Sequence, residues 1–232
     1  MRTSYHEQLD DILAELERMT RTVSTAVRRS TTALLDADIK VAEEVIAADV
    51  EVDAAGEGLE DKIFDLMARQ APVANELRML VAGLRMVADL ERMGDLAAHV
   101  AKISRMRYPA SAIPAELQDL VGKMGSVAEE MVNAAGDVIK SRDVEAAQGL
   151  ESTDDEMDKL RTSQFRLMMD DSWQHGVEAA VDIALLGRYY ERIADHAVSM
   201  ARRVVYLVTG ELPVAVGGTA AGSGAGAATP TS

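Results

Sequence analysis

The sequence predicts an all-α protein made of two tandem three-helix bundles, with long antiparallel helices in up-down order. Apolar residues recur in steps of three and four from Ile12 to Leu34, which is the period of an amphipathic helix. We find no run of strand-like alternation. Short breaks divide the chain into six helical segments, at about 5–35, 38–69, 73–106, 115–140, 143–171 and 177–208.

Each break contains residues that begin or end helices. Asp36-Ala37-Asp38 is expected to close the first helix and cap the second, because an aspartate at this position accepts backbone N–H groups. Pro72 suits the first turn of the third helix, and Pro109 with Pro114 brackets a central linker. The last two breaks are Ser141-Arg142-Asp143 and His175-Gly176.

The second group of three helices repeats the first. Asp38-Ile39 matches Asp143-Val144 at an offset of 105, and Glu91-Arg92 matches Glu191-Arg192 at an offset of 100. We therefore expect one repeat at 1–108 and another at 109–212, as bundles joined end to end. Residues 213–232, which are mainly Gly, Ala, Ser and Thr, are expected to be a disordered tail.

Composition restricts the class of protein. The 232 residues carry a formal net charge of −15 and include no cysteine, which excludes disulfides, thiolate nucleophiles and zinc–thiolate sites. Such acidity argues against nucleic-acid binding, since phosphates require a basic surface. No run approaches the ~18 apolar residues that membrane insertion needs, and the N-terminus lacks the apolar core of a signal peptide. A cytoplasmic location is therefore expected.

Acidic residues occur in pairs four residues apart, which places both carboxylates of a pair on one face of a helix. The pairs are Asp49 with Asp53 and Glu91 with Asp95 in the first half, and Asp154 with Asp158 and Glu191 with Asp195 in the second. Like charges at this spacing destabilise a helix unless another group compensates them. In the third helix the pair continues an apolar stripe that begins at Leu77.

The hairpin register brings the acidic pairs of each half together. If the turn lies near Pro72, Asp53 and Glu91 are each about 19 residues from it, and antiparallel helices rise equally, by about 1.5 Å per residue. A turn near His175 gives the same convergence in the second half. Four facing carboxylates would suit a hard or borderline divalent metal, and His99 could add a nitrogen ligand. The alternative is that these acids pair with nearby arginines on solvated helix faces.

The segments Asp89-Leu90-Glu91-Arg92-Met93-Gly94-Asp95 and Tyr190-Glu191-Arg192-Ile193-Ala194-Asp195 resemble the twin signature of the PhoU family. The resemblance covers about residues 5–208. It implies tandem three-helix bundles, homodimers, and in some members metal ions on the eight acids named above, with iron, zinc, manganese or magnesium as candidates. Arg78, Arg92 and Arg192 would then support the site or contact partners.

The same resemblance implies a role in phosphate homeostasis and signal transduction. Members restrain high-affinity phosphate uptake and phosphate-responsive two-component signalling when phosphate is plentiful. The implied partners are the ATPase subunit of the phosphate ABC transporter and the phosphate-sensing histidine kinase. A metal-binding helical adaptor or scaffold unrelated to phosphate is the alternative.

No catalytic set is evident, so we do not expect an enzyme. The sequence has no phosphate-binding loop and no nucleophile-elbow motif. A ferritin-like di-iron oxidase would need Glu three residues before a ligating His, and no histidine here has one.

Overall fold

The structure, a computed structural model, describes residues 2–211 and forms six long helices. They are α1 (Arg2–Asp36), α2 (Ile39–Gln70), α3 (Asn75–Arg107), α4 (Gln118–Ser141), α5 (Val144–Met168) and α6 (Gly176–Thr209), with a short 3-10 helix at Ala115–Leu117 before α4. The all-helical prediction is confirmed, and no strand is present in this part of the chain. The predicted tail, 213–232, lies outside the described residues.

Local sequence signals account for most helix ends. The side chain of Asp38 accepts the backbone N–H groups of Lys40 and Val41, and Asp143 caps α5 in the same way. Pro72 is an exception, because α3 begins only at Asn75. The amide of Glu76 bonds to the carbonyl oxygen of Val73, so a turn separates the proline from the helix.

The two halves pack side by side, and the expectation of an end-to-end junction is wrong. Helices α1 and α3 of the first half pack against α4 and α6 of the second, and a single apolar core extends across both halves. This is possible because α3 and α6 bury residues on several sides, including Leu90, Met93 and Tyr190. Helix α2 packs on α1 and α3, and α5 packs on α4 and α6, so each lies at an outer edge.

Buried polar contacts join the halves at defined points. The hydroxyl groups of Thr31 on α1 and Tyr190 on α6 are 2.9 Å apart within the core. On α3, the carboxylate of Asp89 accepts from His196 at 2.9 Å and from Arg203 at 2.5 Å, both on α6. Polar groups inside a core specify one arrangement when each has a partner, so these contacts fix how the bundles align.

None of the helices within residues 2–211 is long and apolar enough to cross a membrane. Long helices here gain their stability from amphipathic packing, with charged residues on the outer faces.

Candidate acidic sites on the two helical hairpins

The acids predicted on α2 and α3 lie within electrostatic reach of one another. Burial, followed by the charges of Asp95 and Asp53, raises the pKa of Asp49. Burial and several neighbouring carboxylates likewise raise the pKa of Glu91. The hairpin therefore brings together predicted acids that are 38 or more positions apart in sequence, counting from Asp53 to Glu91.

Two further acids belong to this site. Glu60 and Glu57 are among the charges that raise the pKa of Glu91. They follow Asp53 at intervals of four and three, so all three lie on one face of α2. Sequence reasoning missed them because it considered only acids present in both halves. We call Asp49, Asp53, Glu57, Glu60, Glu91 and Asp95 the first acidic cluster.

Two glycines allow the helices to approach closely at this cluster. A Cβ atom at Gly56 on α2 would lie 2.9 Å from Cδ of Glu91 and closer still to its Oε1. A Cβ atom at Gly94 on α3 would lie 3.3 Å from Oδ1 of Asp49. The carboxylates therefore occupy space that larger residues at positions 56 and 94 would fill.

Few cations compensate the first acidic cluster. Arg92 pairs with Asp95 at 3.2 Å, but both side chains are largely exposed, so the pair adds little stability. None of the ion pairs within residues 2–211 involves Asp49, Asp53 or Glu91. The charges of Lys102 and His99 lower the pKa of Asp49, but these effects are smaller than those of burial and the neighbouring carboxylates, which raise it.

His99 stands next to the first acidic cluster. Its Nδ1 lies 2.7 Å from the backbone carbonyl oxygen of Asp95. Because a carbonyl oxygen only accepts, this contact makes Nδ1 the donor, which leaves Nε2 as the nitrogen able to accept or to bind a metal. The ring also contacts Tyr189 of α6, with centroids 5.5 Å apart.

The second half brings together the four predicted acids, Asp154, Asp158, Glu191 and Asp195, with Asp155, whose charge also raises the pKa of Asp154. We call these five residues the second acidic cluster. Burial, then the charges of Asp195 and Asp158, raises the pKa of Asp154 to about 6. Burial, then Glu191, raises the pKa of Asp195. Convergence of the predicted acids is thus a property of both hairpins.

The second acidic cluster differs from the first because arginines pair with one of its carboxylates. Oε2 of Glu191 lies 2.7 Å from Nε of Arg161 on α5 and 2.9 Å from Nη1 of Arg188 on α6. The side chains of Arg161 and Glu191 are only 16% and 22% exposed. Oε2 of Glu191 and Nη1 of Arg161 lack an aligned hydrogen-bond partner among the described residues, so charge holds this pair more than hydrogen-bond geometry does.

The helix faces that lead to the acids of α3 and α6 are exposed, whereas Glu91, Asp95 and Glu191 themselves are half-buried. Leu77, Val81 and Ala88, which lead towards Glu91 in the sequence, are exposed, and Val177 and Val181 are exposed at the equivalent places of α6. The buried faces are the neighbouring ones, because those contact the other helices. Both acidic clusters therefore lie on accessible surfaces beside apolar side chains.

The three predicted arginines have different surroundings. Arg92 contacts Asp95, as described above. The guanidinium carbon of Arg78 lies 4.9 Å from the centre of the Tyr206 ring on α6, so this residue links α3 to the last helix. Arg192 is half-buried on α6.

The carboxylates in each cluster are spread apart. Within residues 2–211, no three His, Asp or Glu side chains are grouped closely enough to hold a metal ion as they stand. The donor set of the first acidic cluster is nevertheless suitable in chemistry, since it offers carboxylate oxygens and one imidazole nitrogen. Like charges repel one another, and a cation between the side chains would offset that repulsion.

A groove of about 360 Å³ between α1 and α2 adjoins Asp49. Arg21 and Arg29 line it, but each already contacts an acid: Arg21 pairs with Glu17, and Arg29 with Glu44. The groove therefore does not form a dedicated anion site.

The fold and the two hairpin clusters define a class: proteins of two tandem three-helix bundles that each carry an acidic cluster on one hairpin. Within that class the chain belongs to the PhoU family, because the family model described as PhoU domain matches residues 16–104 and 121–204. These matches include all of the predicted acidic pairs.

Individual relatives resemble the chain over most of its length. The chain is 47% identical to phosphate-specific transport system accessory protein PhoU homolog 2 of Mycobacterium tuberculosis, over 92% of this chain and all of the relative. It is 46% identical to PhoU homolog 1 of Mycobacterium leprae, over 92% and 96%. The crystal structure of PhoU from Pseudomonas aeruginosa matches with a TM-score of 0.82 at 27% identity, covering 89% of this chain and all of that one.

Proposed function

We propose that this protein is a negative regulator of high-affinity phosphate uptake and of phosphate-responsive two-component signalling, active when phosphate is plentiful. The observation that carries this proposal is the 47% identity, over nearly the whole chain, to a relative named as a phosphate-specific transport accessory protein. Similarity that includes both acidic hairpins supports a shared mode of action and not only a shared fold.

The protein acts by contact with other proteins. Its expected partners are the ATPase subunit of the phosphate ABC transporter and the phosphate-sensing histidine kinase. Exposed apolar residues beside acidic ones, such as Leu77 and Val81 on α3, give each hairpin a surface suited to protein contacts. Homodimer formation and a cytoplasmic location stay predictions.

A divalent metal ion at the first acidic cluster would organise this surface. Asp49, Asp53, Glu91 and Asp95 would bind it, and His99, whose Nδ1 bonds to the carbonyl oxygen of Asp95, would offer Nε2 as a further ligand. When bound, the cation supplies positive charge that α2 and α3 share. The chain's own residues then provide the rest: Gly56 and Gly94 make room for the carboxylates, and Glu57 and Glu60 add negative charge nearby.

Deletion of the gene in the source organism tests the regulatory role. With excess phosphate in the medium, loss of a negative regulator should raise alkaline-phosphatase reporter output and phosphate uptake, and the wild-type gene should restore both to low values. Uptake should be measured together with the reporter, because the transporter and kinase branches can then be separated. Unchanged output and uptake in the deletion strain would contradict the phosphate role.

The alternative is a metal-binding helical adaptor or scaffold unrelated to phosphate. It is favoured if the deletion changes neither readout while the purified chain still binds metal. Cross-linking in cells would then identify the partners of the two hairpin surfaces.

A further inference from the structure

We propose that Arg161 is a built-in counter-ion of the second acidic cluster, so that a divalent cation binds the first acidic cluster and not the second. The inference rests on the proposed cation site of the first cluster. It assigns different chemistry to two halves that share the same acidic motif.

The repeat shows which residues are equivalent. At the offset of 105 that aligns α5 with α2, Arg161 takes the place of Gly56. At the offset of 100 that aligns α6 with α3, Arg188 takes the place of Ala88. Two guanidinium groups in the second half thus replace two small residues in the first.

Both arginines contact the same atom, Oε2 of Glu191. Gly56 leaves space that the carboxylate of Glu91 occupies, whereas Arg161 and Arg188 both place a nitrogen within 3 Å of Oε2 of Glu191, at 2.7 and 2.9 Å. The guanidinium carbon of Arg161 lies 4.9 Å from the centre of the Phe165 ring, and the side chain is 16% exposed, so packing holds it in place.

The charge of the two clusters differs accordingly. Across nine equivalent positions, the first half has six carboxylates and no cationic side chain, and the second has five carboxylates and two guanidiniums. The formal charges of these positions are therefore −6 and −3. The positions are 49, 50, 53, 56, 57, 60, 88, 91 and 95 in the first half and 154, 155, 158, 161, 162, 165, 188, 191 and 195 in the second.

A cation entering the second cluster would meet fixed positive charge. Arginine does not release its proton in proteins, so neither guanidinium can become neutral to admit a metal ion. Both would have to move away from Glu191 first. The first cluster imposes no such requirement, since within residues 2–211 its sole ion pair, Arg92 with Asp95, is largely exposed.

Equilibrium dialysis of the metal-free, full-length chain against Mn²⁺ tests the proposal. In the variant that combines Arg161→Gly with Arg188→Ala, the second half acquires the residues of the first at these two positions. We expect the Mn²⁺ bound per chain to rise to about twice the wild-type value, because a second carboxylate site becomes available. Arg161→Lys keeps the positive charge and should leave the bound amount unchanged, as should Arg166→Gly on the exposed face of α5.

Acid-to-amide variants locate the bound ion. Glu91→Gln should weaken Mn²⁺ binding to the wild-type chain by at least about 10-fold, whereas Glu191→Gln should not change it. In the double arginine variant, Glu191→Gln should abolish the additional binding. If the double variant does not fold by circular dichroism, Arg161→Met combined with Arg188→Met, which removes both charges and keeps most of the volume, replaces it.

The outcomes separate this inference from the proposed cation site. If Glu191→Gln as a single substitution weakens Mn²⁺ binding, the inference is overturned and the first site is left intact. A folded variant that lacks both Arg161 and Arg188 and binds no more Mn²⁺ than wild type also overturns it. If wild type binds no Mn²⁺ but the arginine variant does, the first site fails as a metal site and the role of Arg161 is upheld.

Discussion

Asp89→Ala should lower the free energy of unfolding by about 3 kcal/mol, among the largest effects expected of any single substitution in this protein. The carboxylate of Asp89 is 11% exposed and contacts both His196 and Arg203, which are themselves mostly buried. Removing it leaves the guanidinium of Arg203 without its carboxylate partner at the junction of the two halves. Urea unfolding followed by circular dichroism measures the change.

Asp61→Ala is the matched control, because Asp61 is an exposed aspartate on α2. It should change stability by less than about 0.5 kcal/mol. Combining Asp89→Ala with Arg203→Ala should cost less than the sum of the two single losses, because the second substitution removes the unpaired charge. A loss for Asp89→Ala no larger than that of the control would contradict this account of the junction.

Gly125→Ala should lower the free energy of unfolding by about 2 kcal/mol, although alanine is normally the better helix former. A Cβ atom at Gly125 on α4 would lie 3.0 Å from Cβ of Thr31 on α1, and closer still to both of its γ atoms. Thr31 is fixed by its hydrogen bonds to Val27 and Tyr190, so it cannot turn aside cheaply.

Gly122→Ala, one turn away on the same helix, is the internal comparison. A Cβ atom there would have only an ordinary contact, 3.5 Å from Leu35, so this variant should gain up to about 1 kcal/mol in helix propensity. Adding Thr31→Ala to Gly125→Ala should recover part of the loss, since the clashing atoms are gone. Equal effects of the two glycine substitutions would show that close packing of α1 on α4 is not the cause.

Helices and caps were predictable because their signals are local. The three-to-four spacing of apolar residues and the capping aspartates, Asp38 and Asp143, act within one or two turns of chain. Convergence of the predicted acids was also predictable, because a hairpin with a known turn has one register. Because the sequence repeats, the register could be derived independently for each half.

Features that depend on packing between helices were not predictable. The side-by-side arrangement arises from buried residues on several faces of α3 and α6, which periodicity within one helix does not reveal. Glu57 and Glu60 were missed because they have no acidic counterpart in α5. Arg161 was missed for the converse reason: a search for shared motifs ignores an arginine that stands where the other half has glycine.

Thermal unfolding of the metal-free chain, with and without Mn²⁺, is the most direct test of the central claim that the first acidic cluster binds a divalent cation. At 100 times its Kd, a ligand of the folded state adds about 2.7 kcal/mol, which for a chain of this size raises Tm by about 5 °C or more. Wild type should show this rise, and Glu91→Gln should show about half of it or less, because a 10-fold weaker Kd leaves about 1.4 kcal/mol at the same Mn²⁺ concentration. Without metal this variant should be at least as stable as wild type because it carries less repulsion. A wild-type Tm that does not respond to Mn²⁺, or an equal rise in Glu91→Gln, would contradict the account.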